Sequence, residues 1–118
     1  MPTLTQGYQT GEFILSEEAM RSRDVETVTV VSNVALPSGT VLGRITATGK
    51  MIKYVNSASD GSETAAGVLY TALPATSGDY SAVVIKREAE VINAALNAGA
   101  GVDAAGKADL LAIGIVVR

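Results

Sequence analysis

The side chains able to do chemistry in this 118-residue chain are carboxylates, Lys, Arg, Tyr and hydroxyls, because the sequence holds no Cys and no His. That set cannot build a thiolate zinc site, an iron–sulfur cluster, a disulfide or a Ser-His-Asp triad. It also lacks the side chain best suited to proton transfer near neutral pH. Gly101-Val102-Asp103-Ala104-Ala105-Gly106-Lys107-Ala108 has the spacing of a phosphate-binding loop. The residue after its Lys should carry a hydroxyl for Mg²⁺, and Ala108 has none. A buried strand should precede it, whereas Ala98-Gly99-Ala100 stands there. Asn56, Asp60, Gly61 and Glu63 suggest a calcium loop, but Ala58 fills a donor position and Gly67 stands where the closing Glu belongs. Glu17 with Glu18, or Glu88 with Glu90, could share acid–base work only if burial raised one pKa. Glu88 and Glu90, two apart in a strand, are expected on one wet face. No catalytic residue, metal site or cofactor is expected.

A different use of one Lys remains. Leu36-Pro37-Ser38-Gly39-Thr40-Val41-Leu42-Gly43 has the rhythm of the biotinyl- or lipoyl-carrier folds, which display a modified Lys at a hairpin tip. Lys50, between Gly49 and Met51, lies between two candidate strands. The Met or Asp that usually precedes such a Lys is replaced by Gly49. A small carrier or binding module of this β fold is the alternative reading.

The elements that must position these residues are mostly strands. From Val25 onward, Glu26-Thr27-Val28-Thr29-Val30-Val31 alternates polar and apolar, which predicts a strand. Further strands are expected over 40–47, 51–55, 65–72 and 80–86, with 88–92 continuing the last or standing alone. Residues 40–47 and 51–55 should form a hairpin. Residues 65–72 are apolar throughout and should be buried on both faces. Pro37 with Gly39, residues 56–62 and residues 74–78 carry turn chemistry. Asp103 is placed to cap a helix over 104–112, weakened by Gly106 and ended by Gly114 in the left-handed conformation. Residues 115–117 make a last strand. Short strands and one late helix predict a mainly β fold, a small barrel or sandwich with one short C-terminal helix, not alternating βαβ units.

Residues 1–24 read differently. They are polar and charged around one apolar run, Phe13-Ile14-Leu15, which holds the chain's single Phe. Such a segment buries too little to offset its ordering entropy, so a flexible N-terminal arm over 1–24 is expected, followed by a compact domain over 25–118. An aromatic spent on an arm suggests an anchor for a partner, unless Phe13 folds back on its own core. Glu12, Phe13, Ile14, Leu15 and Ser16 form the candidate anchor. Nine Lys and Arg against twelve Asp and Glu give a net charge of −3, with no basic cluster beyond Arg21 with Arg23 and Lys86 with Arg87. No nucleic-acid partner is expected. No window is apolar for long enough to span a membrane as a helix, and the polar start lacks signal-peptide blocks, so use without classical secretion is expected.

The ordered set of motifs resembles the bacteriophage head decoration protein D family. Gly11-Glu12-Phe13-Ile14-Leu15-Ser16-Glu17, Arg21-Ser22-Arg23-Asp24 and Pro37-Ser38-Gly39-Thr40-Val41-Leu42-Gly43 match its opening. Ala58-Ser59-Asp60-Gly61-Ser62 running into Ala65-Ala66-Gly67-Val68-Leu69-Tyr70, and the closing Leu110 to Arg118, complete the order. Lambda-type members carry Trp residues that this chain lacks, so their aromatic packing does not carry over. The resemblance implies a non-enzymatic virion protein with a β-tulip core, assembled in the host cytoplasm. It implies a homotrimer on the outside of the expanded capsid at three-fold sites. There it would clamp the major capsid protein against DNA pressure through an N-terminal arm that adds a strand to the capsid protein's sheet.

Overall fold

The computed structural model describes residues 14–17 and 23–118. Its strands are β1 (Ile14–Glu17), β2 (Arg23–Val30), β3 (Val41–Arg44), β4 (Met51–Lys53), β5 (Ala65–Leu69), β6 (Gly78–Ile85), β7 (Ala89–Val91) and β8 (Ile115–Val117). A 3-10 helix, Asn93–Gly99, and the helix α1 (Ala104–Ala112) lie between β7 and β8. Strands β2-β4-β3-β5-β6 close into a barrel, and β1-β7-β8 form a separate three-stranded sheet. The mainly β barrel with one short late helix agrees with the sequence expectation.

Alternation along the strands explains closure. Val28 and Val30 of β2, Leu42 of β3, Met51 of β4, Leu69 of β5, and Ala82 and Val84 of β6 point into one cluster, joined by Leu36 and Leu73. These residues fill the barrel, as small barrels require. β2 and β6 pair antiparallel over eight positions, from Arg23↔Ile85 to Val30↔Gly78. β3 and β4 form the expected antiparallel hairpin. The ring closes where β2 meets β4 in parallel, at the pair Val28↔Met51.

The neighbouring positions on β3, β5 and β6 face the other way. Val41, Val68 and Ile85 belong to a second cluster with Val91, Leu96, Leu110 and Ile115. That cluster lies between the outer barrel wall and the sheet, the 3-10 helix and α1. β5 is therefore apolar throughout because both of its faces are covered. Gly43 belongs to the same tight wall: a Cβ there would lie 2.5 Å from the Ser62 carbonyl oxygen.

Local chemistry sets α1 as expected. The Asp103 carboxylate accepts from the Gly106 N–H at 2.8 Å, and Gly114 ends the turn at φ 89°. Gly106 costs helix propensity, but a Cβ there would overlap Val102 and press on the Tyr54 ring. The helix backbone needs that closeness. The Tyr54 hydroxyl donates to Asp103 Oδ1 at 2.8 Å, and Asp109 Oδ2 accepts from the Ala65 N–H at 3.0 Å. Burial and the Asp103 carboxylate push the Tyr54 hydroxyl up to about 12. Asn97 fastens the 3-10 helix to β3. At φ 51° its Oδ1 accepts from the Val41 N–H and its Nδ2 donates to the Gly101 carbonyl.

Candidate functional site

Several of the described residues considered for chemistry have a structural occupation. Asp60 Oδ1 accepts from the Ser62 N–H at 3.0 Å and from its hydroxyl, which holds the carboxyl below its ordinary range. Glu63 accepts from the Gly61 N–H at 2.8 Å. The loop spends its carboxylates on its own turn. Gly101 follows the 3-10 helix instead of a buried strand, and Asp103 of the same stretch caps α1. Lys50 Nζ lies 2.6 Å from Asp79 Oδ2, so the candidate carrier lysine is engaged in an ion pair. Glu88 and Glu90 do not share a strand face. Glu88 sits before β7 at φ 50°, which breaks the alternation, while Glu90 accepts from Arg118 at 2.8 and 3.1 Å. Glu17 lies in β1 and Glu18 lies outside the described residues. Among the described residues, no group of three or more His, Cys, Asp or Glu is placed to hold a metal ion. A pocket of about 190 Å³ between Ala35, Pro37, Lys53 and Asn97 is shallow, and its Asn97 amide is already bonded on both sides.

The candidate anchor falls partly on described backbone. Glu12 and Phe13 lie outside the described residues. Ile14, Leu15 and Ser16 form β1 with Glu17. β1 runs antiparallel to β7 with Ile14↔Val91, Ser16↔Glu90 and Glu17↔Ala89, and a register shift falls between Ile14 and Ser16. In the order β1-β7-β8, β1 is an edge strand. β7 is held on its other side by β8 in parallel, with Glu90 opposite Val116. Arg118 also bonds back to Val91 and Asn93 through its backbone.

Arg23 and Asp24, which the sequence reading places at the end of the arm, are the first residues of β2. The Arg23 guanidinium stands 4.0 Å over the Tyr70 ring. Arg87 Nη2 lies 2.6 Å from Asp24 Oδ2, Lys86 Nζ lies 2.8 Å from Glu26 Oε2, and Arg44 Nη1 lies 3.1 Å from Glu26 Oε1. Lys86 also reaches Asp24 at 3.4 Å. The Arg87 hydrogen bond holds the Asp24 carboxyl below its ordinary range, and the Lys86 hydrogen bond does the same for Glu26. This ladder fixes the point at which the chain enters the barrel. Sequence reading missed it, although a signal was present: Asp24 and Glu26 are in phase with the buried Val28 and Val30. A carboxylate on the inward face of a strand calls for a cationic partner.

The fold is thus a closed barrel beside a small sheet in which β1 is the edge strand, and among the described residues Asp60, Glu63, Asp103, Lys50 and Glu90 are committed to turns, a cap and ion pairs. The family model described as Bacteriophage lambda head decoration protein D matches residues 3–115, nearly the whole chain. The chain belongs to that family, whose role is structural decoration of the phage head. No curated protein matches the sequence. Among the described residues, no helix is long and apolar enough to cross a membrane.

Proposed function

We propose that the protein binds as a homotrimer to the outside of the expanded phage head at three-fold positions and stabilises it against the pressure of packaged DNA. The family match carries this reading. The N-terminal segment, with Glu12, Phe13, Ile14, Leu15 and Ser16, is the anchor to the major capsid protein. The edge position of β1 supports that assignment, since an exposed edge offers main-chain groups for strand addition. One such strand binds weakly, because ordering a segment costs roughly 2–5 kcal/mol. Three on one body act together, and avidity adds factors of about 10²–10⁴. Weak strands then make a durable clamp without any covalent chemistry.

The test separates assembly from docking. Protein lacking residues 1–20 is compared with the full chain by light scattering and by sedimentation with expanded heads. The expected outcome is an intact trimer that no longer decorates. Undiminished decoration by the truncated protein removes the anchor from the proposal, and a full chain that stays monomeric at high concentration removes the trimer.

A further inference from the structure

The loop between β4 and β5 holds a reactive pair of residues. Asp60 is the only Asp of the chain that Gly follows, and no Asn is followed by Gly. An Asp-Gly pair can rearrange without an enzyme. The Gly nitrogen attacks Cγ of the neutral Asp side chain, and the N–Cγ bond forms. The carboxyl C–OH bond breaks, and the hydroxyl leaves with the amide proton as water. Water then reopens the resulting cyclic imide at either carbonyl. Opening at the main-chain carbonyl leaves the chain running through Cγ, as isoaspartate. Gly favours the attack because it places no side chain in its way. The fold nevertheless requires both residues. Gly61 stands at φ 111°, and a Cβ there would overlap the Arg44 carbonyl and the Thr46 hydroxyl. Asp60 closes the turn on Ser62.

We propose that Asp60-Gly61 is an isomerisation site that the folded loop holds shut, with Glu63 fixing the attacking nitrogen and Ser62 fixing the carboxylate. The inference stands apart from the decoration reading. Attack needs the nitrogen and Cγ close and aligned. Contacts on both reacting groups oppose that approach. The Gly61 N–H donates to Glu63 Oε1 at 2.8 Å, a bond to a charged acceptor that fixes the plane of the peptide. Asp60 Oδ1 accepts from the Ser62 N–H at 3.0 Å and from the Ser62 hydroxyl. Those bonds hold the carboxylate on Ser62 and favour its ionised form, whereas the reaction consumes the neutral one. The main chain around the pair is pinned as well. The Asp60 carbonyl accepts from the Thr46 N–H at 2.9 Å, and the Ser62 carbonyl accepts from the Val55 N–H at 3.2 Å. Ser62 is itself buried, with its backbone close against Gly43 of β3. Isoaspartate would lengthen the main chain by one carbon in this corner and push Ser62 off β3. The residues that the turn needs are therefore the ones that would undo it, and their neighbours keep them apart.

The test counts passages through the imide. The natural chain is incubated near neutral pH in heavy-oxygen water, both folded and unfolded in guanidinium chloride, and the peptide holding Asp60 is weighed by mass spectrometry. Each passage draws one oxygen from the solvent, so label accumulates at Asp60 even where the ring reopens to ordinary Asp. The folded chain should take up label at least about tenfold more slowly than the unfolded chain, equivalent to about 1.4 kcal/mol of barrier. Equal rates overturn the inference, and this comparison needs no variant. Folded Glu63→Ala should take up label roughly tenfold faster than the folded natural chain, the scale of one hydrogen bond to a charged acceptor. Glu63→Gln keeps an acceptor oxygen and should stay closer to the natural chain than to Glu63→Ala. Far-ultraviolet circular dichroism at the incubation temperature establishes that both variants are folded. If Glu63→Ala is no faster than the natural chain, Glu63 does not hold the nitrogen and the inference is overturned. If it is slower, Glu63 serves the reaction as a base, the opposite of the role assigned.

Discussion

At the scale of single residues, the sharpest consequences come from carboxylates placed where a core side chain is expected. Glu26 shares its strand face with Val28 and Val30, and its charge is compensated by Lys86 and Arg44. The folded carboxyl sits below its ordinary 4.5, chiefly through the Lys86 hydrogen bond. As pH falls, the unfolded chain takes up a proton first, so this contribution is whole above 4.5 and drains away as pH drops towards the folded value. Asp24 behaves the same way below its ordinary 3.8. Melting temperatures measured from pH 7 to pH 3 should hold steady and then fall below about pH 5, within the ordinary carboxylate range. Glu26→Gln should lower the plateau and shrink the acid fall, because the titrating group is gone. An acid fall of equal size in the variant would assign it to other carboxylates. The alternation of β2 was visible in the sequence. The in-phase Asp24 and Glu26 were visible too, but their partners Lys86 and Arg87 lie some 60 positions away, at separations of 60 and 63, where no local pattern points.

At the scale of elements, α1 was legible to its ends, because its signals are local: Asp103 caps it and Gly114 closes it. The 3-10 helix Asn93–Gly99 was not, since its small residues have weak preferences of their own. It is fixed from outside by the bonds of Asn97 to β3 and to Gly101. β1 shows the same division. Its apolar run was readable, but its pairing with β7 joins segments far apart in the chain. The anchor assignment makes a prediction at this scale. Phe13→Asp should weaken decoration by at least roughly tenfold, about 1.4 kcal/mol, while the free protein melts at nearly the same temperature. A large melting shift would instead place Phe13 in the protein's own core.

At the scale of the whole molecule, the barrel was foreseeable as a class, because a run of short alternating strands has few ways to cover its apolar faces. Its closure was not. The ring is completed by a parallel contact between β2 and β4 at the pair Val28↔Met51, a connection no turn signal announces. Nor did the sequence reveal that β3, β5 and β6 carry buried residues on two faces, except for the unbroken apolar run of β5. That doubly covered wall bears on how the protein comes apart. Val41 and Leu42, Val68 and Leu69, and Val84 and Ile85 are chain neighbours that serve opposite clusters. Neither cluster can melt and leave its wall behind, because the same backbone lines both. The expected result is all-or-none unfolding, with far-ultraviolet and tyrosine signals lost together in one transition. Separate transitions would mean that the wall survives the loss of one side. A protein built in this way has no half-undone state in which to yield gradually. It bears load as a single unit until it fails.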